Sequence, residues 1–331
     1  MTQSTIIAVT DPSAAGEARR RAVAMASSFG WPPEDSGRLA IGVTEAATNL
    51  VKHATMGEIH LRACGTGYGD GIEMIASDRG PGMHRVQDFL RDGFSTKGTS
   101  GEGLGAIERL ATEFDICSVP GKGTVMVARF YRSSSVVPSL RVGSIQSPIR
   151  GEDVCGDSWG VRFEDGAAVI LLADGLGHGI GAATASRKAV EILMGSVVTR
   201  PLALLELVHG ALRGTRGAAV AIARIDFAAA SISFAGVGNI SAVLSRDDTV
   251  QHLISPSGTA GDMVRKMQEY VYPWTPYSRL LMHSDGLTTS WKLSEYAHLI
   301  GKDPALIAAS LFREARRERD DACVVVAQER K

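Results

Sequence analysis

The sequence predicts a two-domain protein of the α/β (α+β) class, and three observations predict it. The chain has 331 residues, more than a single hydrophobic core of roughly 250 to 300 residues readily serves. Strand-like and helix-like patterns alternate up to about residue 132, whereas strand patterns dominate after it. Between the two regions lies "RSSSVVPS", Arg132 to Ser139, a Ser-rich stretch with a proline that reads as a boundary. The expected division is a first domain over 1–132, a linker over 133–140 and a second domain over 141–331.

In order along the chain, "STIIAVT" reads as a strand. Apolar residues recurring at three and four then predict helices from about Pro12 to Phe29 and from Glu34 to Ala54. "EIHLRAC" and "GIEMIAS", separated by the glycine-rich "GTGYGDG", predict a hairpin. A loop, "GFSTKGTSGEGLGAIERL" from Gly93 to Leu110, leads into a helix expected to continue through Phe114, and "FDICSV" and "TVMVARFY" close the region as a strand pair. Helices on one face of a mixed sheet make an α/β sandwich. In the second region strand patterns run from "LRVGSIQSPI", "SWGVRF" and "AAVILLA" to "RLLMHS" and "ACVVVAQ". Helices interrupt them near Ala182 to Val198 and Pro201 to Arg213, with a third before Arg319. Two packed sheets flanked by helices bury such strands best.

Composition narrows the partners. Hydrophobic residues make up 44%, charged residues 21% and the net charge is −1, so no global field favours nucleic acid or an anionic membrane. The longest apolar run, Ala167 to Ala173, falls far short of the roughly 20 residues of a membrane helix, and the start "MTQSTIIAVTD" lacks a basic signal-peptide region. A cytoplasmic location is expected. The four cysteines form no C-x-x-C pair and read as reduced thiols.

The costly glycines of the loop need a reason, since each gives up more backbone freedom on folding than any other residue. A close approach of main chain to phosphate supplies one. Upstream, "TEAATNLVKHA" places Glu45, Asn49 and His53 on one helix face. "SDRGPGM" follows a strand and sets Asp78 beside Gly80 and Gly82, a turn that lets backbone approach a flat ring. A "GKGT" turn carries Thr124 into the last strand. In this order the motifs resemble the Bergerat-type ATPases of histidine kinases, gyrase and heat-shock chaperones, and most closely the bacterial anti-sigma and switch serine kinases of the RsbT type.

That resemblance implies a Bergerat α/β sandwich binding ATP and Mg²⁺. Asn49 would bind Mg²⁺, Glu45 would be the base on the attacking hydroxyl, and Asp78 would accept from the adenine amino group. Gly80, Gly82 and Thr124 would shape the adenine pocket, and His53 would lie on its helix face. Backbone N–H groups of Gly101, Gly103 and Gly105, with Lys97, would close over the phosphates. The chain contains no Walker A sequence and no phosphoacceptor-histidine helix. Transfer to serine or threonine of a separate protein is therefore the expected reaction.

In the second region the informative residues are carboxylates at strand ends beside glycine: Asp157 in "VCGDSWG", Asp174 in "LLADGLGHG", Asp285 in "MHSDGL", and Asp320 and Asp321 in "RERDDACVVV". Any one reads as a turn; several in one strand-rich domain suit hard dications, which select carboxylate oxygens and water. The set and its order resemble the type 2C (PPM) metal-dependent protein phosphatases, nearest the SpoIIE and RsbX branch. The implied fold is an αββα sandwich holding two Mn²⁺ or Mg²⁺. Asp157 and Asp174 would be shared between the ions, the Gly175 carbonyl would complete one shell, and Asp285 with Asp320, in preference to Asp321, would hold the other ion. His178 reads as a structural hydrogen-bond partner or as a general acid, and Arg150 as a phosphate ligand or a surface arginine.

The combined resemblance implies a bifunctional switch: a kinase and an opposing phosphatase acting on STAS-domain antagonist or scaffold proteins of the RsbS and RsbR kind, with a homodimer as one admissible assembly. An alternative keeps the phosphatase as the only enzyme and makes the first domain an ATP-dependent docking or sensing module. A third reading, a sequestering protein with both sites degenerate, fits the nearly complete motif sets poorly.

Overall fold

A computed structural model describes residues 4–65, 70–90, 103–132, 138–246, 249–288, 291, 298–299 and 301–330. By its contacts the chain forms two compact units, one comprising Thr2–Pro138 with Tyr296–Ala309, the other Ser139–Glu295 with Ser310–Lys331. The stretch Tyr296–Ala309, which sequence reading places in the second region, thus packs with the first.

The first unit begins with β1 (Ser4–Val9) and helices α1 (Pro12–Ser28) and α2 (Pro33–His53). Asp11 caps α1, its Oδ1 accepting from the Ser13 N–H at 2.8 Å, and Pro12 takes the first turn, where no N–H is needed. Helix α2 carries Glu34 and Asp35 in its first turn and Lys52 and His53 in its last, both complementing the helix dipole. The helix pair returns the chain to the sheet as β2 (Gly57–Cys64), followed by β3 (Gly71–Ser77), α3 (Val86–Leu90), α4 (Gly103–Leu110), β4 (Glu113–Val119) and β5 (Gly123–Tyr131). The sheet order is β1-β2-β3-β5-β4.

Every pairing in this sheet is antiparallel. The expected mixed sheet is therefore corrected: β2–β3 and β4–β5 are hairpins, and the helix pair brings β2 back against β1. Helix α4 also stops before Phe114, because Glu113 and Phe114 already pair with Arg129 and Ala128 in the β4–β5 ladder. Leu39, Val43, Ala46, Ala47 and Leu50 of α2 bury against Ile59, Leu61, Ile72 and Met74 of the sheet. That face holds the polar stripe of α2 in place.

The second unit contains β6 (Leu140–Ser147), β7 (Asp157–Glu164), β8 (Ala167–Gly175), α5 (Gly179–Gly195), α6 (Pro201–Leu212), β9 (Ala218–Asp226), β10 (Ser231–Val237), β11 (Ser241–Arg246) and β12 (Thr249–His252). It continues with β13 (Glu269–Pro273), β14 (Arg279–His283), the last turns of α7 (Pro304–Ala315) and β15 (Ala322–Glu329). Two five-stranded sheets result, ordered β13-β10-β9-β8-β7 and β12-β11-β14-β15-β6. Trp159, Ile170, Phe234, Leu244, Met282 and Val325 fill the core between them, and α5 and α6 cover the other face of the first sheet through Ala185, Ala189, Leu193, Leu204 and Val208. Strand β13 escapes sequence reading because "EYVYP" is short, largely solvent-facing and ends in proline, as edge strands do.

Candidate active sites

In the first unit, Glu45 and Asn49 lie half-buried one turn apart on α2, with His53 exposed a turn beyond. Gly103, the first residue of α4, faces both: a Cβ there would come within 3.1 Å of the Asn49 amide and 3.2 Å of Glu45 Oε2. A side chain would fill the cradle between the two helices. The Asn49 Nδ2 is buried with no hydrogen-bond partner among the described residues, an arrangement that costs free energy until an acceptor arrives. Gly105 is buried in the first turn of α4, and Lys97 and Gly101 lie outside the described residues.

Asp78 is buried at the end of β3, and its backbone N–H donates to the Thr124 carbonyl at 2.9 Å. Its Oδ1 accepts from the Gly80 N–H at 2.6 Å. The turn demands its glycines. At Gly82, with φ of +67°, a Cβ would sit 2.3 Å from the Val119 carbonyl, and at Gly123, with φ of +87°, 2.1 Å from the Asp78 carbonyl. Ser118, which sequence reading passed over, ties this corner together: its Oγ accepts from the Met83 N–H at 2.8 Å and lies 2.8 Å from Thr124 Oγ1. One acidic corner, one amide-bearing helix and one glycine helix start thus surround the same part of the unit. The donor set fits a Mg-nucleotide.

In the second unit, Asp157 opens β7 and Asp174 nears the end of β8, and the two are direct partners in the β7–β8 ladder. Asp157 is 1% exposed and its Oδ2 accepts from Ser284 Oγ at 2.6 Å. Burial pushes the Asp157 carboxyl up from its ordinary range against the lowering effect of Ser284, and Asp321, Asp285 and Asp320 push it further. Burial also raises Asp174, followed by the charges of Asp157, Asp285 and Asp320. Asp320 is raised by burial and by Asp285. These carboxylates therefore share one electrostatic neighbourhood that disfavours their charge, which is what a bound dication relieves.

Among the described residues, no group of three or more His, Cys, Asp or Glu side chains is arranged around a single ion position. The all-oxygen donor set fits hard dications. Gly175 completes the strand end with no room for a side chain, since a Cβ would lie 2.1 Å from the Ala182 carbonyl.

One neighbour, Asn239, was invisible in the motifs. Asn239, in the turn between β10 and β11, donates from Nδ2 to Asp285 Oδ2 at 2.7 Å. Asp321 accepts from the Ile149 N–H at 2.8 Å through Oδ1, while its buried Oδ2 has no hydrogen-bond partner among the described residues. Asp321 thus anchors the loop beside Arg150, and half-buried Asp320 keeps Oδ2 available, its Oδ1 accepting from the Asp321 N–H at 2.9 Å. Arg150 is exposed; His178 is exposed with Nδ1 2.9 Å from Glu152 Oε1.

Comparison with known proteins finds relatives for both regions of the chain. Residues 8–130 match the histidine kinase-like ATPase domain and residues 164–330 match stage II sporulation protein E (SpoIIE). The chain is 35% identical over 104 residues to the serine/threonine-protein kinase RsbT of Bacillus subtilis (strain 168), covering 31% of this chain and 78% of RsbT. It is 25% identical over 180 residues to the phosphoserine phosphatase RsbX of the same organism, covering 54% of this chain and 89% of RsbX. A solved structure from work on the bacterial stressosome, a modular system adapted to control secondary messenger signaling, superposes with a TM-score of 0.54 at 27% identity, covering 58% of this chain and 100% of the other. RsbX in complex with magnesium shares the fold at a TM-score of 0.52 and 22% identity, covering 58% and 96%.

Proposed function

We propose that this chain, which belongs to the RsbT-type serine/threonine kinases through its first half and to the SpoIIE phosphatases through its second, is a two-way phosphorylation switch for a STAS-domain protein. The observation that carries the reading is the presence of both constellations on one polypeptide, each with its own pocket-forming glycines. The domains correspond to residues 1–132 and 141–331 joined by 133–140.

In the kinase direction, Asp78 and the Gly80–Gly82 turn hold adenine, Asn49 holds Mg²⁺, and the start of α4 at Gly103 and Gly105 directs backbone N–H groups at the phosphates. Lys97 and Gly101 add to that phosphate site from the loop before α4. Glu45, across from Gly103, takes the proton of the acceptor hydroxyl. In the phosphatase direction, two Mn²⁺ or Mg²⁺ held by Asp157, Asp174, the Gly175 carbonyl, Asp285 and Asp320 supply Lewis acidity and lower the pKa of water. Ser284 holds the Asp157 carboxylate in place and Asn239 does the same for Asp285. The stressosome-related structure and the RsbT and RsbX relatives support a STAS-domain substrate of the RsbS or RsbR kind.

The test is transfer from γ-³²P-ATP to a STAS partner by the wild-type chain and by Glu45→Ala. The proposal expects labelling by the first and a loss of about 10²- to 10⁴-fold by the second, the usual worth of a general base. Absence of labelling with a partner that binds would instead favour a regulatory nucleotide module on a phosphatase.

A further inference from the structure

Beyond Asp174 and Gly175 the chain leaves β8, passes through Leu176, Gly177 and His178, and starts α5 at Gly179. Beside this turn runs the segment that enters β9. The Leu176 N–H donates to the Gly217 carbonyl at 3.0 Å, and Asp174 is the ladder partner of Ala219. Arg216 therefore stands three residues before the partner of a candidate dication ligand, at most about 11 Å along the chain. All of these residues belong to the phosphatase unit.

The backbone at Arg216 is held on both sides. Thr215 Oγ1 donates to the Leu212 carbonyl at 2.6 Å and accepts from the Gly217 N–H at 3.0 Å, so one hydroxyl closes the turn. The side chain is held as well. Its Nη1 donates to the His178 carbonyl at 3.2 Å, and its guanidinium lies over two glycines. A Cβ at Gly181 would come within 2.6 Å of Nε and 2.7 Å of Cζ, and one at Gly177 within 3.4 Å of Nη1. Gly181 sits in the first turn of α5 without a left-handed backbone, a place where alanine makes the better helix. The absent methyl makes room for the arginine. Across the same turn, Glu152 Oε1 lies 2.9 Å from His178 Nδ1. Among the described residues no carboxylate pairs with Arg216, which is exposed.

A guanidinium is weakly hydrated and its planar fork matches a pair of phosphate or carboxylate oxygens. Holding one at the strand end next to Asp174, with a helix glycine kept to seat it, suits an anion that arrives with the substrate. We propose that Arg216 is a substrate-binding residue of the phosphatase, its remaining N–H donors receiving an oxyanion of the phosphoprotein, supplied by the phosphoserine itself or by an acidic residue beside it. This rests on the phosphatase reading above and names the substrate chemistry of that site.

The test uses the full-length chain and its Arg216→Ala, Arg216→Lys and Gly181→Ala variants. Three probes are compared: p-nitrophenyl phosphate, a phosphoserine peptide with neutral neighbours, and the same peptide with aspartate on either side. Hydrolysis in Mn²⁺ gives KM and kcat, calorimetry gives Mn²⁺ affinity, and anisotropy of labelled peptides carrying a non-hydrolysable phosphonate gives affinity without turnover. Arg216→Ala is expected to raise KM and weaken peptide binding by about 10- to 100-fold, the worth of hydrogen bonds to a charged group. Its kcat and Mn²⁺ affinity should stay within about twofold, the pattern of lost uniform binding. Arg216→Lys keeps the charge without the fork and should fall between. Gly181→Ala displaces the guanidinium while favouring the helix, so KM should rise with no loss of thermal midpoint; an arginine that merely braces the turn would not give that split. A rise that includes the neutral peptide identifies phosphate as the oxyanion, and one confined to the aspartate-flanked peptide identifies the neighbouring carboxylate. Unchanged KM and peptide affinity in Arg216→Ala overturn the proposal, as do peptides that bind neither chain. If the wild-type chain hydrolyses none of the probes, the phosphatase reading fails on its own, and peptide affinity still decides the role of Arg216.

Discussion

Asn239 and Glu45 carry the proposal's predictions for single side chains. Asn239 has one visible task, holding Asp285 Oδ2, and groups standing behind a metal ligand are typically worth about 10- to 100-fold in metal affinity. Asn239→Ala is expected to raise the Mn²⁺ concentration needed for half-maximal phosphatase activity by that factor while leaving nucleotide binding unchanged, which titration of both ligands checks. Glu45→Ala should leave the Mn²⁺ dependence of the phosphatase unchanged and lower phosphate transfer instead. The motif residues themselves were legible because acid-glycine strand ends and a carboxylate-amide helix face leave a local pattern. Asn239 was not, since the residue it serves lies 46 positions away and no spacing rule links them. The Arg129–Asp303 pair, 174 positions apart, is hidden for the same reason.

At the scale of elements, the start of α4 and the β7–β8 ladder carry the two sites. Gly103→Ala places a methyl within 3.2 Å of Glu45 and Asn49 without straining a left-handed backbone. It is expected to weaken ATP binding by on the order of tenfold, about one hydrogen bond to a charged group, with little change in the thermal midpoint. Gly123→Ala, whose Cβ would meet the Asp78 carbonyl at 2.1 Å, should lower the midpoint as well. The ladder makes a pH prediction. Because the Asp157 and Asp174 carboxyls are raised, the folded chain holds protons that the unfolded chain releases in the ordinary carboxylate range. Stability without dications therefore falls as pH rises from that range toward and past neutrality. Thermal unfolding in EDTA should show a lower midpoint at pH 8 than at pH 5.5, with the gain on adding Mn²⁺ larger at pH 8; an equal gain at both contradicts it. Strands and helices were mostly legible from periodicity, the exceptions being the edge strand β13 and the end of α4, where strand pairing decides the boundary.

At the scale of the whole molecule, two enzyme families share one chain, and the stretch Tyr296–Ala309 packs with the first unit although its sequence belongs to the second family match. Composition and motif order revealed the two families; the crossing of the chain did not show, because it depends on a buried ion-pair network. The most direct measurement of the central claim is phosphate transfer from Mg-ATP to a STAS partner by the intact chain and by Asp174→Asn, which removes a proposed dication ligand from the phosphatase and leaves Glu45, Asn49 and Asp78 untouched. Phosphorylated partner should accumulate far more with Asp174→Asn than with the intact chain. Equal labelling by both proteins, or none by either while Mn²⁺-dependent phosphatase activity persists in the intact chain, would contradict two opposing activities on a shared substrate.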